Sequence, residues 1–442
     1  MPPDTSPVFS HNFATEFPEL SIPYSPDSGP NPELVLFNEE LGKELGIPAD
    51  LDVLLGQRAD IKEHAVAQGY AGHQFGQFVP RLGDGRAVLL GEVAGKDIHL
   101  KGSGPTPFAR GGDGRATLPS MLREYLIAEA LHTLGIPTTR ALAVIKTGKT
   151  VLRQQSEEGA ILVRVAASHL RVGSFQYARL HGLELTKQLA DFGMRRHDPD
   201  CSDYAQWLSR IMKRQAATVA TWMRVGFVHG VMNTDNTTIS GESIDFGPCA
   251  FTATYDPKAV FSSIDHHGRY AFGQQPHILA WNLARLAETL LPLFDPDEDK
   301  ALGIAQELMA HYPQIWRDAW LESMKAPLGL SRYPTEEVEG IIDAHHELLL
   351  GQPIISSGRK LAEGEGLSRE WTKLWQELDP DMAEVKNNNP SVLPANHVID
   401  SALSDVGEAK RLLGALKDPY SPHPEISMEA PKNFHYVTYC GT

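Results

Sequence analysis

The sequence has little cysteine, a shortage of positive charge and no long apolar run. Its three cysteines, Cys201, Cys249 and Cys440, form no C-x-x-C or zinc spacing and do not suggest a secreted disulfide scaffold. There are 40 Lys and Arg against 56 Asp and Glu, which gives a formal net charge of -16. Nucleic acid and anionic membranes require a basic face, so neither is expected as a general partner. Without eighteen consecutive apolar residues, no segment is expected to span a membrane.

The length and composition indicate a folded protein of more than one unit. At 442 residues the chain is too long for one ordinary core, so two or three domains or lobes are expected. Hydrophobic residues make up 42%, which is close to the value for typical globular proteins. The N-terminal segment resembles neither a signal peptide nor a transit peptide, so we expect a cytoplasmic protein.

Three regions differ in their secondary-structure pattern. Residues 1–60 are Pro-rich with one short helical pattern, PELVLFNEELGKELGIP, and are interpreted as an extension that packs on a larger body. Residues 61–180 show mostly short strands and one helix, SMLREYLIAEALHTLGIP, for which Ser120 is the candidate N-cap. The TGKT segment at 147–150 resembles the end of a Walker A motif but lacks its first Gly, so we predict a hairpin turn between two strands. Residues 181–442 are helical, and this order predicts an α+β fold in two lobes.

A lysine on a strand and a glutamate on the helix form a candidate pair. In the stretch D-I-H-L-K, His99 and Lys101 share one strand face and the two apolar residues share the other. A Lys at a strand end is commonly solvated. Glu124, however, lies in a helix that is apolar on several sides, where a carboxylate is costly unless it is paired. A strand Lys followed about twenty residues later by a helix Glu is the arrangement that directs a kinase lysine to nucleotide phosphates.

The pentapeptide G-D-G-R-A occurs twice, at 83–87 and 112–116. The first copy precedes the strand pattern AVLLGEV, and its Gly83 and Gly85 resemble a glycine-rich loop whose N–H groups face phosphates. Arg86 follows, and arginine is suited to bidentate phosphate binding. A D-G pair is also a common signal for a hairpin turn, so that alternative stays open.

Two arginines interrupt apolar stretches. Arg164 lies inside the strand pattern A-I-L-V-R-V-A, and Arg171 follows seven residues later in S-H-L-R-V-G-S-F. An arginine in such surroundings is expected to meet a carboxylate or a phosphate. A structural salt bridge and a ligand contact are both consistent with each of them.

The stretch H-G-V-M-N-T-D-N at 229–236 has the frame of the kinase catalytic loop, H-R-D-L-x-x-x-N. Val231 stands where that loop has its proton-accepting Asp. Nine residues after Asn236 comes a literal D-F-G that begins with Asp245. In kinases the loop Asn and the D-F-G Asp hold two magnesium ions on the nucleotide. The ordered set therefore indicates a nucleotide and metal site built from kinase parts, without the kinase base.

Longer strings of this sequence resemble the SelO (selenoprotein O) family of protein adenylyltransferases, which have a pseudokinase fold. They lie between about residues 35 and 285 in family order: GYAGHQFGQFVPRLGDGRAVLLGE, HLKGSGPTPFARGGDGRA, REYLIAEALHTLGIPTTRAL, VRVAASHLRVGSF, HGVMNTDNTTISGESIDFGP and DHHGRYAFGQQPHILAWNLARLA. The resemblance implies a bilobal, protein-kinase-like fold, with residues 61–180 as the N-lobe and 181–442 as the helical C-lobe and tail. It also implies ATP held inverted relative to kinases, so that AMP is transferred to a Ser, Thr or Tyr hydroxyl of a protein substrate.

The resemblance further implies roles for residues of this chain. Asp235 would be the base that accepts the hydroxyl proton. Asn236 and Asp245 would bind Mg²⁺ or Mn²⁺, and Glu124 would orient Lys101. The residues that would contact the nucleotide are Gly83, Gly85, Arg86, Lys101, Asp113, Gly114, Arg164, Arg171 and Asp245.

Cys440 fits the place near the C-terminus where members of this family often carry a Cys or selenocysteine. Many bacterial members have a second Cys shortly after the D-F-G-like motif that can form a disulfide with it. That partner would fall near Phe261, where this chain has no Cys. The resemblance therefore gives no basis for redox control by this disulfide, and an ordinary free thiol is the other interpretation.

Two other functions stay open from the sequence. An ordinary phosphotransferase would need a base that Val231 cannot supply. A nucleotide-binding scaffold without turnover would not need to retain the four residues Lys101, Glu124, Asn236 and Asp245 together. We expect a monomer that acts on protein substrates, with no nucleic acid or membrane partner.

Overall fold

The structure is a computed structural model that describes residues 7–429 and 436–438. The strands within these residues are β1 (Ser21–Pro23), β2 (Glu33–Phe37), β3 (Val66–Gln68), β4 (Gly72–Gln74), β5 (Gln77–Val79), β6 (Ala87–Val93), β7 (Lys96–Lys101), β8 (Ala116–Thr117), β9 (Arg140–Leu152), β10 (Ser156–Ala166), β11 (Phe227–Val228) and β12 (Ala250–Phe251). The α-helices are α1 (Asn12–Glu16), α2 (Glu39–Leu45), α3 (Leu51–Leu54), α4 (Ala59–Lys62), α5 (Leu118–Thr133), α6 (Val172–His181), α7 (Leu183–His197), α8 (Tyr204–Val225), α9 (Gln275–Phe294), α10 (Glu298–Lys325), α11 (Thr335–Leu349), α12 (Ile354–Ala362), α13 (Arg369–Glu377), α14 (Met382–Asn388), α15 (Asn396–Ala402) and α16 (Val406–Leu416).

One antiparallel sheet dominates the first part of the chain. Its order is β1-β3-β6-β7-β10-β9-β2, and β8 pairs with β10. Strands β4 and β5 form a separate hairpin, and β11 pairs with β12. In the described part of the chain after β10, that last pair supplies the only strands, and the rest consists of helices and loops. The predicted α+β class is therefore confirmed, whereas the kinase-like arrangement of two lobes stays a prediction.

The first sixty residues supply both ends of the sheet. The helical pattern predicted over 32–48 is wrong in its first half, because Glu33–Phe37 is the strand β2, which pairs with β9. Its alternating side chains find a strand partner there, and the helix begins only after Asn38. The Asn38 side chain caps α2 by accepting the N–H of Leu41 at 3.2 Å.

The hairpin turn predicted at 147–150 is also wrong. Strand β9 continues through these residues to Leu152, because Thr150 and Val151 pair with Glu158 and Glu157 of β10. The chain turns at 153–155 instead. Cross-strand pairing extends the strand past a glycine that would otherwise signal a turn.

Helix α5 packs on the sheet and is buried on nearly every side. Its N-cap is Thr117 rather than Ser120, so the predicted cap is three residues late. The Thr117 side chain accepts the N–H of Ser120, whose hydroxyl oxygen accepts the N–H of Thr117. After this reciprocal capping box the helix begins at Leu118. A proline follows in the first turn, where proline is tolerated. Gly135 follows the end of the helix with φ of +73°.

The long helical patterns of the second part become helices α8 to α11. Helix α8 begins after Asp203, whose side chain accepts the N–H of Gln206, and ends at Gly226 in the left-handed region. It packs against α9 and α10. The loop 229–236 follows directly after β11. Among the described residues, no helix combines the length and apolarity needed to cross a bilayer.

The sheet has an apolar core on one face and the candidate site on the other. Alternate residues Ile98 and Leu100 of β7 pack with Val163 of β10 and with residues of α2 to α4. The intervening residues, His99 and Lys101, therefore point to the opposite face. That face is the one that meets α5 and the helical part of the chain.

Candidate active site

Lys101 and Glu124 form a buried ion pair. The Nζ atom of Lys101 lies 2.7 and 2.9 Å from the two carboxylate oxygens of Glu124. Strand β7 presents Lys101 on the sheet face that α5 covers, and both side chains are buried. The pairing offsets the cost of burying either charge alone. Lys101 is thus a paired cation of the interior and not a solvated surface lysine.

Three cations from the first part of the chain converge on Asp245. Its Oδ1 accepts from Lys101 Nζ at 2.7 Å and from Arg164 Nη1 at 2.8 Å. Its Oδ2 lies 3.8 Å from Nη1 of Arg171. Burial opposes ionisation, but these three charges hold the pKa of Asp245 well below its usual range. The backbone φ of Asp245 is +63°, a value that is uncommon outside glycine.

Arg164 and Arg171 both lie near the Asp245 carboxylate, as the salt-bridge interpretation predicted, but they differ in position. Arg164 lines the cleft described below. Arg171 is 2% exposed and donates to the carbonyl oxygens of Asp235 at 3.1 Å and His169 at 3.2 Å. Its guanidinium lies 4.4 Å from the ring centroid of Tyr70. Arg171 therefore supports the loop beneath Asp235, and its nucleotide contact stays a prediction.

Asp235 lies in an environment opposite to that of Asp245. Its Oδ1 is buried and has no hydrogen-bond partner among the described residues. Burial raises the pKa of Asp235 to about 6, although the charge of Arg171 opposes this and Gln74 donates a hydrogen bond to its side chain. A carboxylate with a pKa close to neutrality and an unpartnered oxygen has the properties of a general base.

The loop 229–236 is joined to the D-F-G segment by hydrogen bonds. Nε2 of the buried His229 donates to the carbonyl oxygen of Ile244, at 2.8 Å. The Asn236 side-chain nitrogen donates to the carbonyl oxygen of Val231 at 2.9 Å. This bond fixes the orientation of the Asn236 amide and leaves its oxygen for another ligand. Val231 takes part in this hydrogen bonding through its backbone alone.

The first G-D-G-R-A segment borders the cleft only in part. Gly85 and Arg86 line it, whereas Gly83 packs behind them against the ring of Phe108. The backbone carbonyl of Arg86 accepts from Gly102 N at 2.7 Å, which fixes this segment beside the end of β7. The predicted contacts of these residues with phosphates stay predictions.

The second G-D-G-R-A segment lies at the rim of the cleft. Asp113 is exposed, and its oxygens accept from Arg153 at 2.8 and 2.9 Å. Gly114 has φ of +63°, and a Cβ there would lie 2.2 Å from the backbone of Gly104. Only glycine fits this close approach. The roles predicted for Asp113 and Gly114 in nucleotide binding remain untested.

These elements enclose one cleft of about 440 Å³, a size typical of small-molecule sites. Gly83 and Arg171 of the predicted site residues lie outside its lining. The predicted residues that line it are Gly85, Arg86, Lys101, Asp113, Gly114, Glu124, Arg164, Asp235, Asn236 and Asp245. Residues separated by up to 160 positions in the chain thus meet in a single site.

The residues present fit a divalent cation that also binds a nucleotide. No group of three or more His, Cys, Asp or Glu arranged to hold a metal occurs in the described part of the chain. Mg²⁺ is usually bound by one or two protein carboxylates together with phosphate oxygens and water. The Asp245 carboxylate and the Asn236 amide line the same cleft and are oxygen donors of this kind.

Sequence reasoning missed the acidic and histidine residues behind the cleft. Asp84, the Asp of the first G-D-G-R-A, is buried, lines the cleft and lies 3.0 Å from His99 Nε2. Burial opposes its ionisation, but the hydrogen bond to His99 and the charge of Arg171 lower the pKa of Asp84. The signal available was the alternation of Asp97, His99 and Lys101 along one face of β7.

Two of the three cysteines can be placed. Cys201 and Cys249 are buried free thiols, and burial raises the pKa of Cys249 to about 12. Cys440 lies outside the described residues. The described tail residue Thr438 donates its N–H to Phe261 at 2.7 Å and accepts from Ser263 N at 2.9 Å. The interpretation of Cys440 stays a prediction.

Comparison with known proteins adds to this geometry. A family model described as "Protein adenylyltransferase SelO" matches residues 9–357. A protein nucleotidyltransferase YdiU from Corynebacterium efficiens is 46% identical over 470 residues, which cover 97% of this chain and 95% of that protein. Proteins of the same name from Mycolicibacterium smegmatis and Anoxybacillus flavithermus are 45% and 46% identical, with 99% and 93% of this chain covered, and 99% and 94% of theirs.

Proposed function

The chain belongs to the SelO family of protein adenylyltransferases, and from that membership we propose that it transfers AMP from ATP to Ser, Thr or Tyr hydroxyls of protein substrates. The enzyme class, the ATP substrate and the protein acceptor follow from the family. The hydroxyl acceptor, an inverted ATP, the residue roles and a monomeric state are the proposal. The observation that carries it is the cleft in which three cations converge on Asp245, while Asp235 keeps an oxygen that no described residue hydrogen-bonds.

The proposed fold is that of a protein kinase with two lobes. The sheet and α5 would form the N-lobe, residues 61–180, joined by the two edge strands of the first sixty residues. The helices after β10 would form the C-lobe, residues 181–442. Lys101 contacts both Glu124 of α5 and Asp245 of the D-F-G segment. A protein kinase also has a strand lysine, a helix glutamate and a D-F-G aspartate in this order along the chain, so these contacts support the proposed fold.

The proposed position of ATP has its α-phosphate beside Asp235. The β- and γ-phosphates would lie against the cations Lys101 and Arg164, with Arg86 at the glycine-rich segment. Asp113 and Gly114 at the rim would contact the remainder of the inverted nucleotide, and Gly83 would shape its loop from behind. The support is the cleft itself, which these residues line or border and to which β7 and β10 contribute Lys101 and Arg164.

In the proposed reaction the hydroxyl oxygen of the acceptor attacks the α-phosphorus. A new P–O bond forms, the bond from the α-phosphorus to the bridging oxygen breaks, and pyrophosphate leaves with the electron pair. The hydroxyl proton passes to the Asp235 carboxylate. Developing charge on the pyrophosphate is stabilised by Lys101 and Arg164, which Glu124 and Asp245 already hold in place before ATP arrives.

Asn236 and Asp245 would hold Mg²⁺ or Mn²⁺, which neutralises phosphate charge when bound. Lys101 and Arg164 would continue to contact the Asp245 carboxylate and keep it oriented. Their remaining N–H groups would donate to phosphate oxygens. The amide nitrogen of Asn236 is already used by Val231, so its oxygen is the donor atom for this purpose.

The proposal is tested by incubating the protein with Mg²⁺ or Mn²⁺ and ATP labelled on either the α- or the γ-phosphate. The Asp245→Ala variant serves as the control. Label from the α-phosphate on protein, absent in the variant, is the expected result.

Label from the γ-phosphate alone would mean an ordinary phosphotransferase and would contradict the inverted nucleotide. Bound ATP with no label on protein would mean a scaffold without turnover. Identification of the labelled side chain by mass spectrometry decides between Ser, Thr and Tyr, and gel filtration with light scattering tests the monomer.

A further inference from the structure

Each of the three guanidinium nitrogens of Arg164 makes one contact, and two of these contacts end on histidine rings. Its Nη1 donates to Asp245 at 2.8 Å. Its Nε donates to His169 Nε2 at 3.2 Å, and its Nη2 lies 3.3 Å from His99 Nδ1. A guanidinium is a donor only, so both ring nitrogens that face it must be unprotonated acceptors.

The opposite nitrogen of each ring faces a carboxylate. His99 Nε2 is 3.0 Å from Asp84, and His169 Nδ1 is 3.0 Å from Asp97. Each imidazole therefore carries its one proton on the side of the carboxylate, which fixes its tautomer. Burial lowers the pKa of both histidines, and this supports the neutral form.

The two rings form one rigid unit across the sheet. They stack with centroids 4.1 Å apart and an interplanar angle of 20°. His99 lies directly opposite Arg164 in the pairing of β7 with β10, and His169 follows the end of β10. Asp97 is itself held by Arg196 of α7 at 2.5 Å and by the N–H of His169 at 2.8 Å.

We propose that His99 and His169 are positioning residues that orient the Arg164 guanidinium toward the phosphate side of the cleft, each acting through its unprotonated ring nitrogen. The chain of contacts runs from Asp84 through His99, and from Asp97 through His169, to one arginine. Neither ring lines the cleft, so both act through Arg164 and not on the nucleotide. This inference rests on the proposed role of Arg164 in nucleotide binding.

The geometry offers a matched pair of substitutions at each ring. Asn retains a polar atom near the Nδ1 position of His, and Gln retains one near Nε2. His99→Asn and His169→Gln therefore keep an acceptor for Arg164 and lose the donor to the carboxylate. His99→Gln and His169→Asn keep the donor and lose that acceptor. All four remove one ring from the same buried stack.

The experiment measures kcat and KM for ATP in AMP transfer, Kd for ATP with Mg²⁺ by calorimetry, and Tm for the four variants. We expect the two variants that lose the acceptor to fall about tenfold in kcat/KM, and the two that keep it about threefold or less. Tm should fall similarly in all four. His345→Asn and His345→Gln are the controls, because His345 is equally buried in α11, away from the cleft.

Defects that follow Tm, regardless of which ring atom is kept, would overturn the inference and leave the proposed function standing. If a single variant does not fold, the pair at the other ring still decides. Arg164→Lys gives a further test. His99→Gln should add little to the loss caused by Arg164→Lys, whereas additive losses would contradict an action through Arg164. If Arg164→Lys itself has no effect on transfer or ATP binding, the role of Arg164 fails and the inference fails with it.

Discussion

Asp235 and Asp245 are ten residues apart in the chain and line one cleft, yet their surroundings impose opposite properties. Three cationic side chains surround the Asp245 carboxylate and keep it ionised. Asp235 keeps one buried oxygen without a hydrogen-bond partner in the described part of the chain, and burial raises the pKa of Asp235 to about 6. Two carboxylates whose environments separate their pKa values in this way can divide charge binding and proton transfer between them.

The difference arises from which elements reach each residue. Asp245 is reached by the ends of β7 and β10 and by the N-terminus of α6, all with basic side chains. Asp235 is covered by the hairpin β4–β5, where Gly72 lies so close that a Cβ would be 2.7 Å from Asp235 Oδ1. The hairpin is held to the loop because His73 N donates to Thr234 at 2.7 Å.

Asp245→Ala should have the largest effect and remove one side of the comparison. The variant loses the oxygen ligand for the metal and leaves Lys101, Arg164 and Arg171 without their shared anion. We expect AMP transfer to fall by about 10⁴-fold, measured with α-labelled ATP, since metal and charge contributions amount to several kcal/mol. ATP affinity and Tm should fall as well. Asp245→Asn, which keeps the shape, separates the charge from the packing. Transfer retained within tenfold in both variants would contradict the assignment.

Asp235→Asn should separate chemistry from binding. We expect kcat to fall by about 10³-fold, because general base catalysis contributes in that range. ATP affinity, measured by calorimetry, should stay within about twofold, since the Asp235 carboxylate is not paired with a cation that binds phosphate. A loss of ATP affinity as large as that of Asp245→Ala would show that the two carboxylates do not have different roles.

Glu124→Gln should weaken the Asp245 side of the cleft without removing it. Lys101 would then lose one charged partner, and we expect a 10- to 100-fold fall in kcat/KM, from about 1.5–3 kcal/mol for a hydrogen bond to a charged group. The control is Glu129→Gln in the same helix. Glu129 is also buried and pairs with Arg140 at 2.7 Å, away from the cleft. Both variants should lower Tm, and only Glu124→Gln should impair transfer.

Gln74→Ala should have the smallest effect and act on the Asp235 side alone. Its side chain donates to Asp235, and loss of one such bond, about 1 kcal/mol, corresponds to about a fivefold fall in kcat. ATP affinity should not change. Gln77→Ala in β5 of the same hairpin is exposed and provides the control. An equal effect of both substitutions would show that the hairpin acts through its fold and not through Gln74.

The sequence predicted the local parts of this site well. Lys101 and Glu124 meet because strand alternation and helix burial, both visible in the sequence, require a partner for each. Hydrophobic periodicity predicted a strand-rich region followed by a helix-rich region. The structure has these two regions, so the α+β class is confirmed. The long helices α8 to α11 lie in the region that was predicted to be helical.

The errors have a common physical cause. Glu33–Phe37 is a strand because β9 lies beside it, and TGKT continues β9 because β10 pairs with it. Ser120 is preceded by Thr117, whose side chain competes successfully for the cap. For the two strand segments the deciding partner lies elsewhere in the sheet, and for the helix start it is Thr117, which lies just before the predicted segment.

By itself the sequence determined the identity and order of the chemical groups. These are the alternating Asp97, His99 and Lys101, the helix Glu124 and the two loops that end in Asn236 and Asp245. Only the tertiary structure decided that Arg164 and Arg171 point to Asp245, that Arg171 lies outside the cleft, and that two buried histidines hold Arg164. The pKa difference between Asp235 and Asp245 was also decided only by the tertiary structure. The reason is that burial and charge at each atom come from segments more than 160 residues away in some cases, and no local pattern records them.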